Sequence, residues 1–182
     1  MPYVDLLARW REAAQRHKET SALVAEATTE AASALMPNAT SLRQWAEQRV
    51  RWWDATDRRA LARAAEHYVA AEIAIIQAEL PDCDLDSARK ADAAVLCATE
   101  RAAWADEVCK STQPVIDLLN ECIDACDTND TAAAREAAER ARQASQDAER
   151  VLARETTLPE PPVRAQIRAP GEMQYLPRLP RR

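Results

Sequence analysis

Apolar side chains recur every three or four residues through most of the chain, and short clusters rich in proline, asparagine or aspartate separate the runs. A repeat of this length places the apolar side chains on one face of an α-helix. The pattern predicts helices over about residues 4–35, 41–80, 86–111, 115–126 and 131–155.

The first two helices carry the longest apolar stripes. The first stripe consists of Leu7, Trp10, Ala14, His17, Ser21, Val24, Thr28, Ala31 and Leu35. The second consists of Leu42, Ala46, Val50, Trp53, Leu61, Ala64, Tyr68, Ala71 and Ile75. Each stripe is expected to face the core. Asp57 interrupts the second stripe and predicts a break or a kink there.

Residues that begin or end helices support these boundaries. Pro37 ends the first helix, because the residue before a proline disfavours helical geometry. Ser41 with Gln44 three residues later forms the capping box that begins the second. Pro114 either kinks the third helix or begins a new one, since proline is tolerated in a first turn. Residues 127–130 are a turn.

The composition favours helices over strands. The chain contains one glycine and no phenylalanine, and 4% of its residues are aromatic. Strands prefer aromatic and β-branched residues, and tight hairpin turns need glycine. We therefore predict an all-α protein: an antiparallel bundle of four to five long helices over residues 1–156 and an extended proline-rich C-terminal tail over 157–182. A coiled-coil assembly between chains is an alternative.

The last predicted helix contains almost no large apolar residue before Val151. It either packs closely through its alanines or is largely solvated. We interpret its charged residues as an ordinary solvated surface; they include Arg135, Glu136, Glu139, Arg140 and Arg142.

The net charge of −6 and the pI of about 5.1 disfavour nucleic-acid binding by the whole fold, because phosphate recognition usually needs a basic protein. The charge is uneven: residues 159–182 carry +3 and the rest of the chain −9.

No run approaches the ~18 apolar residues of a membrane span, and the N-terminus has no apolar signal segment. We expect a cytoplasmic protein. Abundant alanine, with arginine far ahead of lysine, suggests a bacterial source.

Familiar catalytic motifs are missing. The one glycine, Gly171, lies in the tail, whereas phosphate-binding loops, dinucleotide fingerprints and nucleophile elbows need several glycines. Neither His17 nor His67 has a glutamate three residues before it, which argues against a di-iron bundle. We predict no enzymatic activity and no cofactor.

The five cysteines include two, Cys122 and Cys126, that share one helix face. If the chain folds back at Pro114, Cys109 approaches the same face, and three thiolates could hold Cu(I) or Zn(II). The competing interpretation, which we favour, is that these cysteines pack as small apolar residues.

Three tryptophans and four arginines are concentrated on the second helix: Trp45, Trp52 and Trp53 with Arg49, Arg51, Arg58 and Arg59. Adjacent helical residues point about 100° apart, so Trp52 and Trp53 cannot both fill one core groove. Exposed tryptophan and arginine are typical of interface hot spots. The alternative is that one tryptophan fills the core and the other covers a helix junction.

The tail is a second candidate contact region. Its sequence Leu176-Pro177-Arg178-Leu179-Pro180-Arg181-Arg182 fits a polyproline ligand of SH3-type grooves, or more simply an extended basic arm that lies along another subunit. The predicted partner-binding residues are Trp45, Arg49, Trp52, Trp53, Arg164, Arg168, Tyr175, Leu176, Arg178, Leu179, Arg181 and Arg182.

These features favour a non-enzymatic helical adaptor, assembly factor or small structural subunit that binds protein partners within a larger complex and can form homo-oligomers. One alternative is a small metal- or thiol-handling bundle that uses Cys109, Cys122 and Cys126. A second is an acidic inhibitor or immunity-type protein that masks a basic partner.

Overall fold

The computed structural model describes residues 3–35, 39–80 and 85–162. It contains four long helices, α1 (Tyr3–Ala34), α2 (Leu42–Ala78), α3 (Leu85–Asp127) and α4 (Thr131–Ala153), followed by a short 3-10 helix over Arg154–Thr157. None of the described residues forms a strand, so the all-α prediction is confirmed. No helix in these ranges is both apolar enough and long enough to cross a bilayer.

Neither α2 nor α3 is broken where the sequence allowed a break. Pro114 lies inside α3, which runs unbroken for 43 residues, or about 65 Å, so the prediction of a separate helix from residue 115 is wrong. α2 is likewise continuous through Asp57. The half-buried Asp57 carboxylate accepts a hydrogen bond from the buried Thr112 hydroxyl at 2.7 Å. Burial raises the pKa of Asp57. The aspartate therefore links α2 to α3 instead of ending α2.

The helix ends follow the sequence closely. The Ser41 hydroxyl accepts a hydrogen bond from the backbone N–H of Gln44 at 3.2 Å, which is one of the two bonds of the predicted capping box. The Gln44 side chain accepts from the backbone N–H of Thr40 at 2.9 Å instead of from that of Ser41. Between α3 and α4, Asn129 adopts a φ of 58°, and the Asp130 amide bonds back to the Ala125 carbonyl at 2.9 Å. This is the Schellman ending of a helix, in which asparagine tolerates the left-handed conformation. It turns the chain so that α4 runs antiparallel to α3.

α2 and α3 form the central antiparallel pair, and α1 and α4 pack against different parts of it. α1 lies antiparallel to the C-terminal part of α2, where three ion pairs join the two helices: Arg9 with Glu79, Arg16 with Glu72 and Glu30 with Arg58. α4 covers the C-terminal half of α3 and the first turns of α2. The bundle is therefore elongated, and its middle lies where α1 and α4 both end.

Alanine makes much of the helix packing. α2 and α3 meet through Ala71, Ala74, Ala91, Ala94 and Ala98. The buried face of α4 consists of Ala134, Ala137, Ala138, Ala141 and Ala148. Of the two alternatives for the last helix, close packing through alanines is therefore correct. Larger side chains fill the core where α2, α3 and α4 meet, around Trp53, Val115 and Leu119.

The predicted core stripe of α2 is correct in its first half and only partly correct in its second. Ala46, Trp53 and Ala71 are buried, but Leu61, Tyr68 and Ile75 are exposed. The buried line continues at seven-residue steps through Ala60, His67 and Ala74. Several faces of this helix are alanine-rich, and α3 packs on the face whose small side chains allow the closest approach. Leu35 and Thr28 of the first predicted stripe are also exposed.

Candidate functional site

A cleft opens where α2, α3 and α4 meet, with a volume of about 180 Å³. It is lined by Trp45, Arg49 and Trp53 of α2, Leu119 of α3, and Arg142, Ser145 and Glu149 of α4. Three of the four predicted contact residues on α2 therefore share one surface feature.

The tryptophans occupy three different environments. Trp53 is buried, and Trp52 packs edge-on against it with 4.3 Å between ring centroids and 66° between the ring planes. Trp45 and Trp52 are half-buried. The 100° separation of adjacent residues thus has the expected consequence: Trp53 fills the core, and Trp52 covers its edge close to the surface.

Two arginines lie over the exposed faces of these rings. The Arg142 guanidinium carbon is 4.9 Å from the centroid of Trp45, and that of Arg49 is 5.7 Å from the centroid of Trp52. Both distances are within the range of a cation–π contact. Arg142 also pairs with Glu139 at 3.1 Å. A guanidinium stacked on a ring keeps its N–H edge directed away from that ring, where it can bind a carboxylate.

Among the described residues, only some polar groups of the cleft have hydrogen-bond partners. Within the described ranges, Arg49 makes no hydrogen bond or ion pair, and the same holds for Glu149. Ser145 donates to the carbonyl of Ala141 at 2.7 Å. The cleft therefore combines an apolar floor of tryptophan and leucine with a rim that contains two cations.

No protein-family model, curated protein or solved structure matches the chain.

The other predicted contact residues lie outside the described residues. They are Arg164, Arg168, Tyr175, Leu176, Arg178, Leu179, Arg181 and Arg182.

The three candidate cysteines, Cys109, Cys122 and Cys126, do not come together at one site. Because α3 continues through Pro114, Cys109 stays on the same helix as Cys122, 13 residues and about 20 Å away. Cys122 is fully buried, and its burial, together with the neighbouring Cys126, raises the pKa of its thiol. Across the described ranges, no three histidine, cysteine, aspartate or glutamate side chains are grouped so that they could hold a metal ion. A raised pKa disfavours the thiolate that metal binding needs.

A buried charged cluster at the middle of the bundle was not predicted from the sequence. Arg101 of α3 is 1% exposed, and its guanidinium lies 3.6 Å from the carboxylate of Glu155 and 3.5 Å from that of Glu160. Its guanidinium carbon is also 5.4 Å from the ring centroid of Trp104. Arg59 of α2 binds Glu155 at 2.7 Å. These contacts hold the segment after α4 against the α2–α3 pair.

Apolar contacts hold the same segment. Leu158 packs on the cluster formed by Ala60, Trp104, Ala105 and Val108, and Pro161 is buried. The Trp104 indole donates a hydrogen bond to the Val151 carbonyl at 2.9 Å. The chain therefore stays packed on the bundle beyond the last turn at Thr157.

His67 is buried beside this cluster, and this makes stability depend on pH. Burial and the nearby Arg101 guanidinium lower the pKa of His67 from 6.5 to about 4, against the opposite effect of Glu160 and Glu66. Between these two pH values the unfolded chain binds more protons than the folded one, so stability rises with pH.

We expect acidification from pH 7 to 4.5 to remove about 2–3 kcal/mol of the free energy of unfolding through His67 alone. The stabilisation that comes from burying neutral His67 is complete above pH 6.5 and is lost as the pH falls towards 4. Urea unfolding of the wild type and of His67→Gln at both pH values isolates it, because the carboxylates common to both proteins cancel in the difference. Equal pH dependence of the two proteins would show that His67 has no such role.

Sequence reasoning found the α2 side of the cleft and missed the α4 side. Arg142 is exposed, as predicted for a solvated surface, but its guanidinium also lies over Trp45, which the sequence did not indicate. The available signal was the alanine stripe of α4, because a helix that packs through alanines brings its flanking long side chains onto the neighbouring helix. Arg142 directly follows the buried Ala141.

Proposed function

We propose that the protein is a non-enzymatic helical adaptor, and that the cleft between α2 and α4 binds a segment of a protein partner. The observation that supports this most is the pairing of Arg49 and Arg142 with tryptophan rings at the edge of an open cleft. Tryptophan and arginine dominate the energetics of protein interfaces.

The cleft favours a partner segment in which an apolar side chain lies beside an acidic one. An apolar side chain of the partner would pack on the half-buried ring of Trp45 and remove its remaining aromatic surface from water, with the buried Trp53 and Leu119 beneath it. About 180 Å³ accommodates one or two side chains, so the cleft fits an anchor residue and not a whole helix.

The charges at the rim of the cleft favour an acidic residue next to the apolar residue of the partner segment. A carboxylate placed between Arg49 and Arg142 would accept charge-assisted hydrogen bonds, each contributing about 0.5–1 kcal/mol because both guanidinium groups are partly exposed to water. Glu149 on the same rim disfavours a second acidic group on its side and so orients the segment. The basic C-terminal part of the tail, residues 163–182, would add a second, mainly electrostatic contact to an acidic partner.

A pair of synthetic peptides tests this proposal. One carries a leucine flanked by glutamates, and the other carries the same leucine flanked by glutamines. We expect the glutamate peptide to perturb the indole N–H resonances of the cleft tryptophans at concentrations at least tenfold lower than the glutamine peptide. The double substitution Arg49→Gln/Arg142→Gln should abolish that preference.

Arg150→Gln is the matched control, since Arg150 lies on the exposed surface of α4 and pairs only with Asp147 in the described structure. It should bind the glutamate peptide like the wild type. Equal binding of both peptides, or an undiminished preference in the double variant, would contradict the proposed recognition. Circular dichroism checks that each variant keeps its helical content.

A further inference from the structure

α2 carries a second apolar stripe that no other described helix covers. Leu61, Tyr68 and Ile75 are 52%, 69% and 39% exposed and recur at seven-residue steps, so they form one line along the helix. α1 packs on one side of this line through Val69, Ile73 and Ile76, and α3 packs on the other through Ala71 and Ala74. The stripe is the outward face of the α1–α2–α3 layer.

The register of α1 adds a fourth apolar side chain. The ion pairs Arg16 with Glu72 and Glu30 with Arg58 fix how the two antiparallel helices are aligned. In sequence, Leu23 lies midway between Arg16 and Glu30. Ala65 lies midway between their α2 partners, Glu72 and Arg58, so Leu23 and Ala65 are opposite each other. Leu23 is 53% exposed. The apolar patch thus consists of Leu23, Leu61, Tyr68 and Ile75 around the small Ala65.

A patch of this kind, bordered by ion pairs, is typical of an interaction surface. A seven-residue apolar repeat is the pattern by which one helix packs along another over several turns. The small Ala65 between Leu61 and Tyr68 allows a second helix to approach closely. The pattern therefore favours a helical occupant.

We propose that this occupant is the same stripe of a second copy of the chain, with the two α2 helices antiparallel and Tyr68 at the two-fold axis. In that arrangement Leu61 of each copy meets Ile75 of the other. The charges are also self-complementary. Arg58 lies ten residues before Tyr68 and Glu79 eleven residues after it, so each Arg58 faces Glu79 of the second copy.

The two ends of the interface then carry alternating charges. Within one chain Glu30 binds Arg58 at 2.6 Å, and Arg9 binds Glu79 at 2.8 Å. In the dimer, Glu30 and Arg58 of one copy are followed by Glu79 and Arg9 of the other. A series of four alternating charges therefore forms at each end of the interface. A closed two-fold interface uses one patch on both copies, and the stripe meets this condition because it is complementary to itself.

Sedimentation equilibrium of the full-length chain tests the dimer. We expect a mass of twice 20.2 kDa for the wild type and of 20.2 kDa for Leu61→Glu/Tyr68→Glu. The matched control is Val95→Glu/Leu96→Glu, which places two glutamates on exposed apolar positions of α3 and should stay dimeric. A monomeric wild type at concentrations up to about 100 µM, where even weak dimers associate, would overturn the proposal.

Two further measurements separate this interface from others. A chain ending at Pro162 should remain dimeric, since the tail takes no part; loss of the dimer on truncation would assign the contact to residues 163–182 instead. A photocrosslinking amino acid at position 68 should link two copies within residues 61–75 in a mixture of isotopically light and heavy chains. Links elsewhere, or a dimer unaffected by Leu61→Glu/Tyr68→Glu, would refute the proposed geometry.

Discussion

Replacing Trp53 by alanine is expected to lower the free energy of unfolding by about 3–5 kcal/mol, the usual cost of removing a fully buried large aromatic side chain. Trp53 is 1% exposed and lies in the largest cluster of buried residues, which includes Val115, Leu119 and Cys122 of α3. The buried α4 residues of this cluster are all alanines, which have no long side chains to fill the space left behind. The part of the destabilisation that comes from the unfilled cavity should therefore be large.

Trp52→Ala is the matched control, because Trp52 is the same residue type one position earlier and only half-buried. It should cost clearly less, about 1–2 kcal/mol, since part of its surface already contacts water. Urea unfolding followed by circular dichroism compares the two variants. Equal losses would mean that the two tryptophans contribute equally and that Trp53 is not the centre of the core.

Replacing Arg101 by alanine is expected to lower the free energy of unfolding by about 2–5 kcal/mol, because it removes a large, fully buried side chain and leaves a cavity. The substitution eliminates the cation that Glu155 and Glu160 share and the stacking on Trp104, and it leaves a cavity between α2 and α3. We also expect the segment after α4 to become sensitive to proteolysis, since these contacts hold it in place.

Arg101→Met distinguishes packing from charge. Methionine fills most of the arginine volume without the charge, and Glu155 keeps Arg59 and Arg63 as partners, so this variant should lose less stability than alanine. Arg150→Ala on the exposed face of α4 should change stability by less than about 0.5 kcal/mol. An Arg101→Ala variant as stable as Arg150→Ala would show that the buried network contributes little.

The sequence was sufficient for the helices because their signals are local. Scarce glycine and abundant alanine left no competing secondary structure, and the capping residue Ser41 and the turn around Asn129 fixed the ends. Pro114 was misleading because proline acts locally, whereas the contacts on both sides of it hold α3 as one helix. Thr112, two residues before it, binds Asp57 of α2.

The choice of buried face could not be derived in the same way. On α2, the lines through Leu61 and Tyr68 and through Ala60 and His67 both follow a helical period. The larger residues favoured the first line. The second line is buried because its small side chains let α3 approach α2 closely, and a close approach buries more surface of both helices. This gain depends on the pair of helices and cannot be derived from the sequence of either one.

The candidate site was also predictable from the sequence only in part. Trp45, Arg49, Trp52 and Trp53 are near in sequence, so their concentration was visible. The contribution of Arg142, the network around Arg101 and the burial of His67 depend on register between distant segments. Arg59 and Glu155, for example, are 96 positions apart.

The proposal that the cleft holds a protein partner is tested most directly by quantitative capture with full-length tagged protein in cells of its source. Wild type, Arg49→Gln/Arg142→Gln and Arg150→Gln would be expressed at equal levels and their partners measured by mass spectrometry. We predict at least one partner that the wild type and Arg150→Gln recover equally and that the cleft variant recovers at least tenfold less. Equal recovery of every partner by all three proteins would contradict the proposed role of the cleft.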